Sequence, residues 1–124
     1  MSTKVIQLVA LDDNATFDVP QTYLHVSAKL KQSADAGYSC IKLKDFNRHV
    51  LRELVNYLIC QEGQVTDEMQ FHDHVLLERW KTNPNMLVAM CITGFKLQIP
   101  KLLEMTRITI RLEVPEVDIN SLLY

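Results

Sequence analysis

Residues 83–112 read NPNMLVAMCITGFKLQIPKLLEMTRITIRL, and the other predicted elements are arranged around them. The first half is apolar on nearly every side of a helix, and such a helix must be covered on every side. Pro100 opens the second half and fits the first turn of a new helix, where no amide hydrogen is needed. We therefore predict a buried helix, a junction near residues 97–99, and a second helix that offers surface to a partner.

The composition is that of one soluble globular domain. The 124 residues are 48% hydrophobic and 23% charged, with a formal net charge of -2, and this balance gives no reason to expect binding to nucleic acid. No apolar run approaches the roughly 18 residues that span a bilayer, and the N-terminus resembles no secretory signal. We expect a cytoplasmic and nuclear protein, without membrane contact, whose three cysteines are buried free thiols.

Hydrophobic spacing predicts the order strand, strand, helix, strand, helix, followed by a helical second half. The apolar positions of residues 50–59 recur at intervals of three and four and give the clearest amphipathic helix. A polar loop is expected at residues 61–71. The remaining predicted elements are a hairpin at residues 4–11 and 15–19, a helix at 21–36, a strand at 40–44 and a helix at 72–80. This order favours an α+β fold, with a small sheet against a cluster of helices.

Two patterns compete beyond Pro100. Leu102, Leu103, Met105 and Ile108 suit a helix, yet apolar and polar residues alternate strictly over residues 107–114, which by itself is typical of a strand. The tail that follows is more apolar than a mobile terminus needs, so it must fold back or be covered by another molecule. This excess of apolar residues indicates binding and not catalysis.

Candidate catalytic and metal-binding residues are few. His72 and His74 flank an aspartate, but no third ligand stands at a useful spacing, and a polar helix start explains the motif better. We therefore predict no enzyme activity, no metal and no cofactor.

Gly94 implies either close approach of another backbone or an early end of the helix. Three aromatic residues fit either the core or a partner interface: Phe71, Trp80 and Phe95.

Several segments, taken in order, resemble the Skp-type adaptors of SCF ubiquitin ligases. LLEMTRITI, at residues 102–110, is similar to the segment that opens the helix after their core helix. IKLKDFNRHVLRELVNYL, at residues 41–58, resembles their third strand and the following helix, and VIQLVALDDNATFDV resembles their first hairpin. The resemblance covers roughly 110 residues and implies a BTB/POZ domain, related to elongin C, with its core at residues 1–99 and a C-terminal extension at 100–124 in one continuous domain.

In that family the C-terminal helices hold the F-box motif of a substrate receptor, and the adaptor links this receptor to a cullin. The resemblance thus implies F-box and cullin proteins as partners, with the cullin interface at Phe46, Asn47, Phe95 and Lys96. Phe95 and Lys96 replace an Asn-Tyr pair that is common in the family. The F-box interface that it implies comprises Leu102, Leu103, Met105, Ile108, Leu112, Val114, Val117, Ile119, Leu122, Leu123 and Tyr124.

Two other functions compete with this one. A repurposed BTB/POZ scaffold that no longer binds cullin could instead turn its C-terminal surface toward a second copy of itself, as a homodimer, or toward a non-F-box protein. A small zinc enzyme would use His72, His74 and a distant histidine.

Overall fold

The computed structural model describes residues 4–66 and 68–123. The chain divides into two compact units, Met1–Val65 and Thr66–Tyr124, which we call the N-terminal and the C-terminal unit. The first contains a small sheet with helices and the second contains helices, so the predicted α+β class is confirmed. No helix among the described residues is both long and apolar enough to cross a membrane.

The sheet of the N-terminal unit has three strands in the order β2-β1-β3. Strands β1 (Val5–Ala10) and β2 (Ala15–Pro20) form the predicted antiparallel hairpin, and β3 (Cys40–Leu43) pairs with β1 in parallel. The turn between β1 and β2 contains Asn14 in the left-handed region, with φ 57°, which asparagine tolerates better than most residues. One face of the sheet is buried through the residues Ile6, Leu8, Ala10, Val19, Ile41 and Leu43.

The helix that was predicted at residues 21–36 is broken in two. A 3-10 helix at Gln21–Val26 is followed by α1 at Ala28–Asp35. Ser27 stands between them in an extended conformation and accepts the amide hydrogen of Leu30 on its hydroxyl at 3.1 Å. Because this bond caps the new helix, Ser27 separates two elements whose apolar spacing looks continuous.

Helix α2 (Arg48–Gln61) is the predicted amphipathic helix, and it contacts β1, β2 and the 3-10 helix. Asn47 caps its start by accepting the amide hydrogen of Val50 at 3.0 Å. Asp13, in the β1–β2 turn, accepts the Arg48 amide hydrogen at 2.9 Å. The carboxylate thus sits at the positive end of the helix dipole and ties the hairpin to α2.

The C-terminal unit contains α3 (Phe71–Lys81), α4 (Pro84–Lys96), α5 (Pro100–Glu113) and the short α6 (Ile119–Leu123). Helix α4 is the predicted buried helix: every residue from 86 to 95 is buried or half-buried. It contacts the other three helices of the unit, most extensively α5. Among the three aromatic residues, Trp80 lies in the core, Phe95 is half-buried and Phe71 is exposed.

The alternating segment at residues 107–114 is helical through Glu113, so its strand interpretation is wrong. Residues two apart in a helix point to nearly opposite sides, whereas in a strand they share a face. Ile110 accordingly is fully buried, while Ile108 and Leu112 are exposed. The alternation therefore marks a helix that has aliphatic residues on both of its faces.

Candidate functional site: the outer face of helix α5

The position of α5 is set by its close approach to Gly94 of α4. A Cβ on Gly94 would lie 2.7 Å from the Leu103 amide nitrogen, so of the two interpretations of Gly94, close approach is the correct one. Helix α4 continues to Lys96 and then turns through Gln98, which has φ 56°. The amide hydrogens of Gln98 and Ile99 bond to the carbonyl oxygens of Phe95 and Gly94, at 3.3 and 2.9 Å, which is a Schellman motif.

The inner face of α5 packs on α4 and is unusually rich in threonine. Thr106 and Thr109 are both buried. Their hydroxyls donate to the carbonyl oxygens of Leu102 and Met105, each at 2.7 Å, so neither hydroxyl is left unsatisfied. The inner face thus consists of Leu102, Met105, Thr106, Thr109 and Ile110. Two residues predicted at the F-box interface, Leu102 and Met105, therefore lie in the core of the unit.

The outer face of α5 is aliphatic as well as charged. Ile108 and Leu112 lie one turn apart and are 47% and 76% exposed. A groove of about 380 Å³ lies beside Ile108 and is lined by Met69, Pro100, Lys101, Glu104, Met105 and Ile108. Exposed aliphatic side chains that adjoin a groove form the kind of surface on which a partner helix can be buried.

The segment after α5 adds further apolar residues to the C-terminal unit. Ile119 is buried, and α6 contacts α4. Asp118 holds the start of α6, because its carboxylate accepts the Ser121 hydroxyl at 2.7 Å. This bond lowers the pKa of Asp118. Leu122 is exposed, whereas Val114, Val117 and Leu123 are half-buried. The predicted tail therefore folds back through Ile119; Tyr124 lies outside the described residues.

A buried ion pair, which the sequence did not predict, joins α3 to the first turn of α5. Lys101 Nζ is 2.7 Å from Asp73 Oδ2, and the two side chains are only 8% and 0% exposed. The same carboxylate accepts the Gln70 amide hydrogen at 2.9 Å, and Lys101 also donates to the Glu68 carbonyl oxygen at 3.4 Å. The pair therefore fixes the segment before α3 and the end of the groove that Lys101 lines.

The four residues of the predicted cullin interface differ in exposure. Within the N-terminal unit, Phe46 is 4% exposed, and its ring belongs to the core. Asn47 is exposed, but its side-chain oxygen already caps α2. Within the C-terminal unit, Phe95 is half-buried and Lys96 is exposed at the end of α4. Asn47, Phe95 and Lys96 thus retain surface for a partner.

None of the residues considered for chemistry belongs to α5. The interpretation of the His72–His74 motif as a helix start is confirmed, since both residues lie in the first turn of α3. Among residues 4–66 and 68–123, no three His, Cys, Asp or Glu side chains cluster in a way that could hold a metal. All three cysteines are free, but only Cys91 is buried, and burial raises the pKa of its thiol.

The half-burial of Cys40 and Cys60 corrects the prediction that all three thiols are buried. Each lies near the end of an amphipathic element, where apolar neighbours in the sequence do not guarantee that a side chain is buried.

Comparison of the whole sequence with protein-family models and with curated proteins finds no match. The function is therefore inferred chiefly from the exposed residues of α5 and α6.

Proposed function

We propose that this chain is a non-catalytic adaptor that binds the F-box segment of a substrate receptor on α5 and α6 and links it to a cullin-based ubiquitin ligase. The observation that carries the proposal is the pair Ile108 and Leu112, which are exposed on a helix whose opposite face is already buried. An isolated exposed aliphatic residue needs no explanation, but two in one stripe beside a groove favour a partner.

The proposed interface consists of buried residues that hold α5 and α6 in place and of exposed residues that contact the partner. Leu102, Met105 and Ile119 hold the two helices to the unit. The partner would contact the exposed or half-buried aliphatic residues, which are Leu103, Ile108, Leu112, Val114, Val117, Leu122 and Leu123. Each aliphatic side chain that becomes fully buried contributes about 1.5–3 kcal/mol before the ordering of both partners is subtracted. A helical segment with its own apolar stripe is the partner that best covers such a surface.

The order of elements supports the same proposal. The resemblance to Skp-type adaptors implies two strands, a helix, a third strand and then helices, and the chain has this order with β3 parallel to β1. The segment that resembles the opening of the helix after the core helix, residues 102–110, lies within α5. These agreements concern the order of the elements, and the F-box partner itself is inferred from the exposed residues.

For the cullin, the proposal uses Phe95 and Lys96 at the end of α4 in the C-terminal unit; Asn47, in the N-terminal unit, is a separate exposed candidate. Phe46 is excluded from the contact because its ring is buried. We expect Lys96→Glu to weaken binding to a cullin while leaving the F-box complex intact, since Lys96 lies on α4 and the F-box residues lie on α5 and α6.

Co-expression with an F-box fragment tests the proposal, with the molar mass of the product measured by light scattering. The adaptor function predicts a stable one-to-one complex, because the fragment covers the outer face of α5. A chain that retains no F-box fragment and forms a tight dimer alone would instead identify a self-associating scaffold.

The same purified protein, prepared without chelators, can be analysed for zinc. A full equivalent of zinc per chain would favour the metal-enzyme alternative.

A further inference from the structure

Strand β3 lies at an edge of the sheet, and the direction of its backbone groups follows from two hydrogen bonds. The Ser39 carbonyl oxygen accepts from Gln7 at 2.9 Å, and the Leu43 carbonyl oxygen accepts from Leu11 at 3.1 Å. Alternate residues of a strand bond to the same neighbour. Ser39, Ile41 and Leu43 therefore face β1, whereas the backbone groups of Cys40 and Lys42 point away from the sheet.

A cavity of about 380 Å³ lies beside β3 and is lined by Ser33, Tyr38, Cys40, Ile41 and Lys42. Side chains alternate between the faces of a sheet, so Ile41 projects to the buried side and its two neighbours project to the other. The cavity contacts all three consecutive residues of this edge strand, so it lies directly beside the strand. It can take a side chain of a peptide whose backbone pairs with β3.

The charges around this edge select the occupant. Lys42 and Lys44 are exposed on and just after β3. Lys29 is exposed one turn before Ser33 on the same side of α1. Lysines on an edge strand oppose pairing with another copy of the same strand, because like charges would then meet. An extended segment with acidic residues would gain from the same lysines.

We propose that the open edge of β3 binds an extended acidic segment of a partner protein, which adds a fourth strand to the sheet and places one apolar side chain in the cavity. The backbone supplies the hydrogen bonds, the cavity selects one side chain, and Lys29, Lys42 and Lys44 select the charge. This site lies in the N-terminal unit, and it is independent of the F-box function proposed for the C-terminal unit.

The opposite edge of the sheet offers a matched contrast. Gln21 donates to the Lys4 carbonyl oxygen at 2.8 Å, so by alternation Thr16, Asp18 and Pro20 of β2 point their backbone groups outward. Pro20 has no amide hydrogen to donate, and Asp18 is exposed and acidic. The β2 edge is therefore the poorer site for an acidic strand, and it serves as the control.

The probe is a fluorescent, end-blocked peptide of about eight alternating glutamate and valine residues, the period that a strand requires. Its comparison peptide has lysine in place of glutamate. Anisotropy titration of the full chain should show the glutamate peptide binding roughly tenfold more tightly, because its charges complement the edge. On saturation, hydrogen exchange should slow at the amides of Cys40 and Lys42.

Two proline variants separate strand addition from general charge attraction. Lys42→Pro and Lys42→Gln remove the same charge, but only the proline also removes an outward amide hydrogen, at an edge where proline is tolerated. Lys42→Pro should therefore bind the glutamate peptide roughly tenfold more weakly than Lys42→Gln does, in an intact fold. Thr16→Pro removes an outward amide on β2 and should leave binding unchanged. Lys42→Glu, which keeps the amide, should bind the lysine peptide at least as tightly as the glutamate peptide.

The proposal is overturned if the glutamate peptide fails to bind, if both peptides bind equally, or if Lys42→Pro binds the glutamate peptide as tightly as Lys42→Gln does. Light scattering tests whether a second copy of the chain occupies the edge instead. If the full chain is a dimer and Lys42→Pro dissociates it, a second copy occupies the edge and the proposal is overturned. Circular dichroism of each variant confirms that a loss of binding is not a loss of fold.

Discussion

Leu103 of α5 lies against Gly94 of α4 so closely that a Cβ on Gly94 would be 2.7 Å from the Leu103 amide nitrogen and 3.0 Å from its Cα. The contact involves backbone atoms, so no side-chain rotation can relieve an added methyl group. The absence of a side chain at Gly94 therefore determines how α5 is placed on α4, and with it the direction in which Ile108 and Leu112 face.

Gly94→Ala should destabilise the protein although alanine is the better helix former. Alanine gains about 1 kcal/mol in helix propensity, but the overlap forces α5 away from α4, and overpacking of this kind costs about 1–3 kcal/mol. Urea unfolding should give a net loss of stability. Asn85→Ala, at an exposed position of the same helix, should stay within about 0.5 kcal/mol of wild type. A variant of Gly94 that is more stable than wild type would contradict the close contact.

The buried pair of Lys101 and Asp73 should show strong coupling in a double-mutant cycle. Lys101→Met takes the lysine ammonium away from the buried Asp73 carboxylate, and breaking a buried pair in this way costs about 3–5 kcal/mol. Asp73→Asn in the same chain removes the buried negative charge and keeps an acceptor for the Gln70 amide, so it should restore part of the stability. Purely additive losses in the cycle would show that the two side chains do not interact.

Asp13 should make stability depend on pH in the acid range. The hydrogen bond from the Arg48 amide lowers the pKa of Asp13 below its usual 3.8, helped by the Ala15 amide and by the Arg48 charge. A lowered folded-state pKa stabilises the fold above the unfolded-state value, and this contribution is lost as pH falls through the folded-state value.

Asp13→Asn should therefore be less stable than wild type near neutral pH, and the difference should shrink below pH 3.8, where wild type becomes protonated. Denaturant titrations at a series of pH values measure this. Asp12→Asn, in the same turn, keeps the Asp13 contact with Arg48 and should retain the pH dependence of wild type. A difference between Asp13→Asn and wild type that is constant with pH would argue against an ionised Asp13 in this contact.

The sequence predicted those parts of the fold that depend on local pattern. The hairpin follows from two apolar runs around a turn, and α2 follows from apolar positions three and four apart behind Asn47. The break at Ser27 was missed because a cap can interrupt a helix without changing its apolar spacing. A serine followed by three good helix formers is the signal that would have revealed it.

The outer face of α5 was predicted only in part, for a physical reason. Local alternation at residues 107–114 cannot distinguish a strand from a helix with two aliphatic faces, and the choice depends on the contact of α5 with Gly94 and α4. The same contact determines that Leu102 is buried and Leu112 is exposed. Lys101 and Asp73 are far apart in sequence, so no local pattern could pair them.

Isothermal titration of an F-box fragment tests most directly whether the outer face of α5 binds an F-box partner. The fragment is titrated into wild type and into two variants whose net charge is changed by the same amount. Ile108→Glu combined with Leu112→Glu removes both exposed aliphatic side chains and makes the chain more negative by two charges. Arg111→Glu, exposed on the same helix, changes the charge equally and removes no aliphatic residue. Unfolding measurements should show that all three proteins remain folded.

Wild type and Arg111→Glu should bind the fragment with similar affinity. The double variant should bind about a hundredfold more weakly or worse, since each buried aliphatic contributes about 1.5–3 kcal/mol. Equal binding by wild type and the double variant would contradict the account, because the partner would then not cover Ile108 and Leu112.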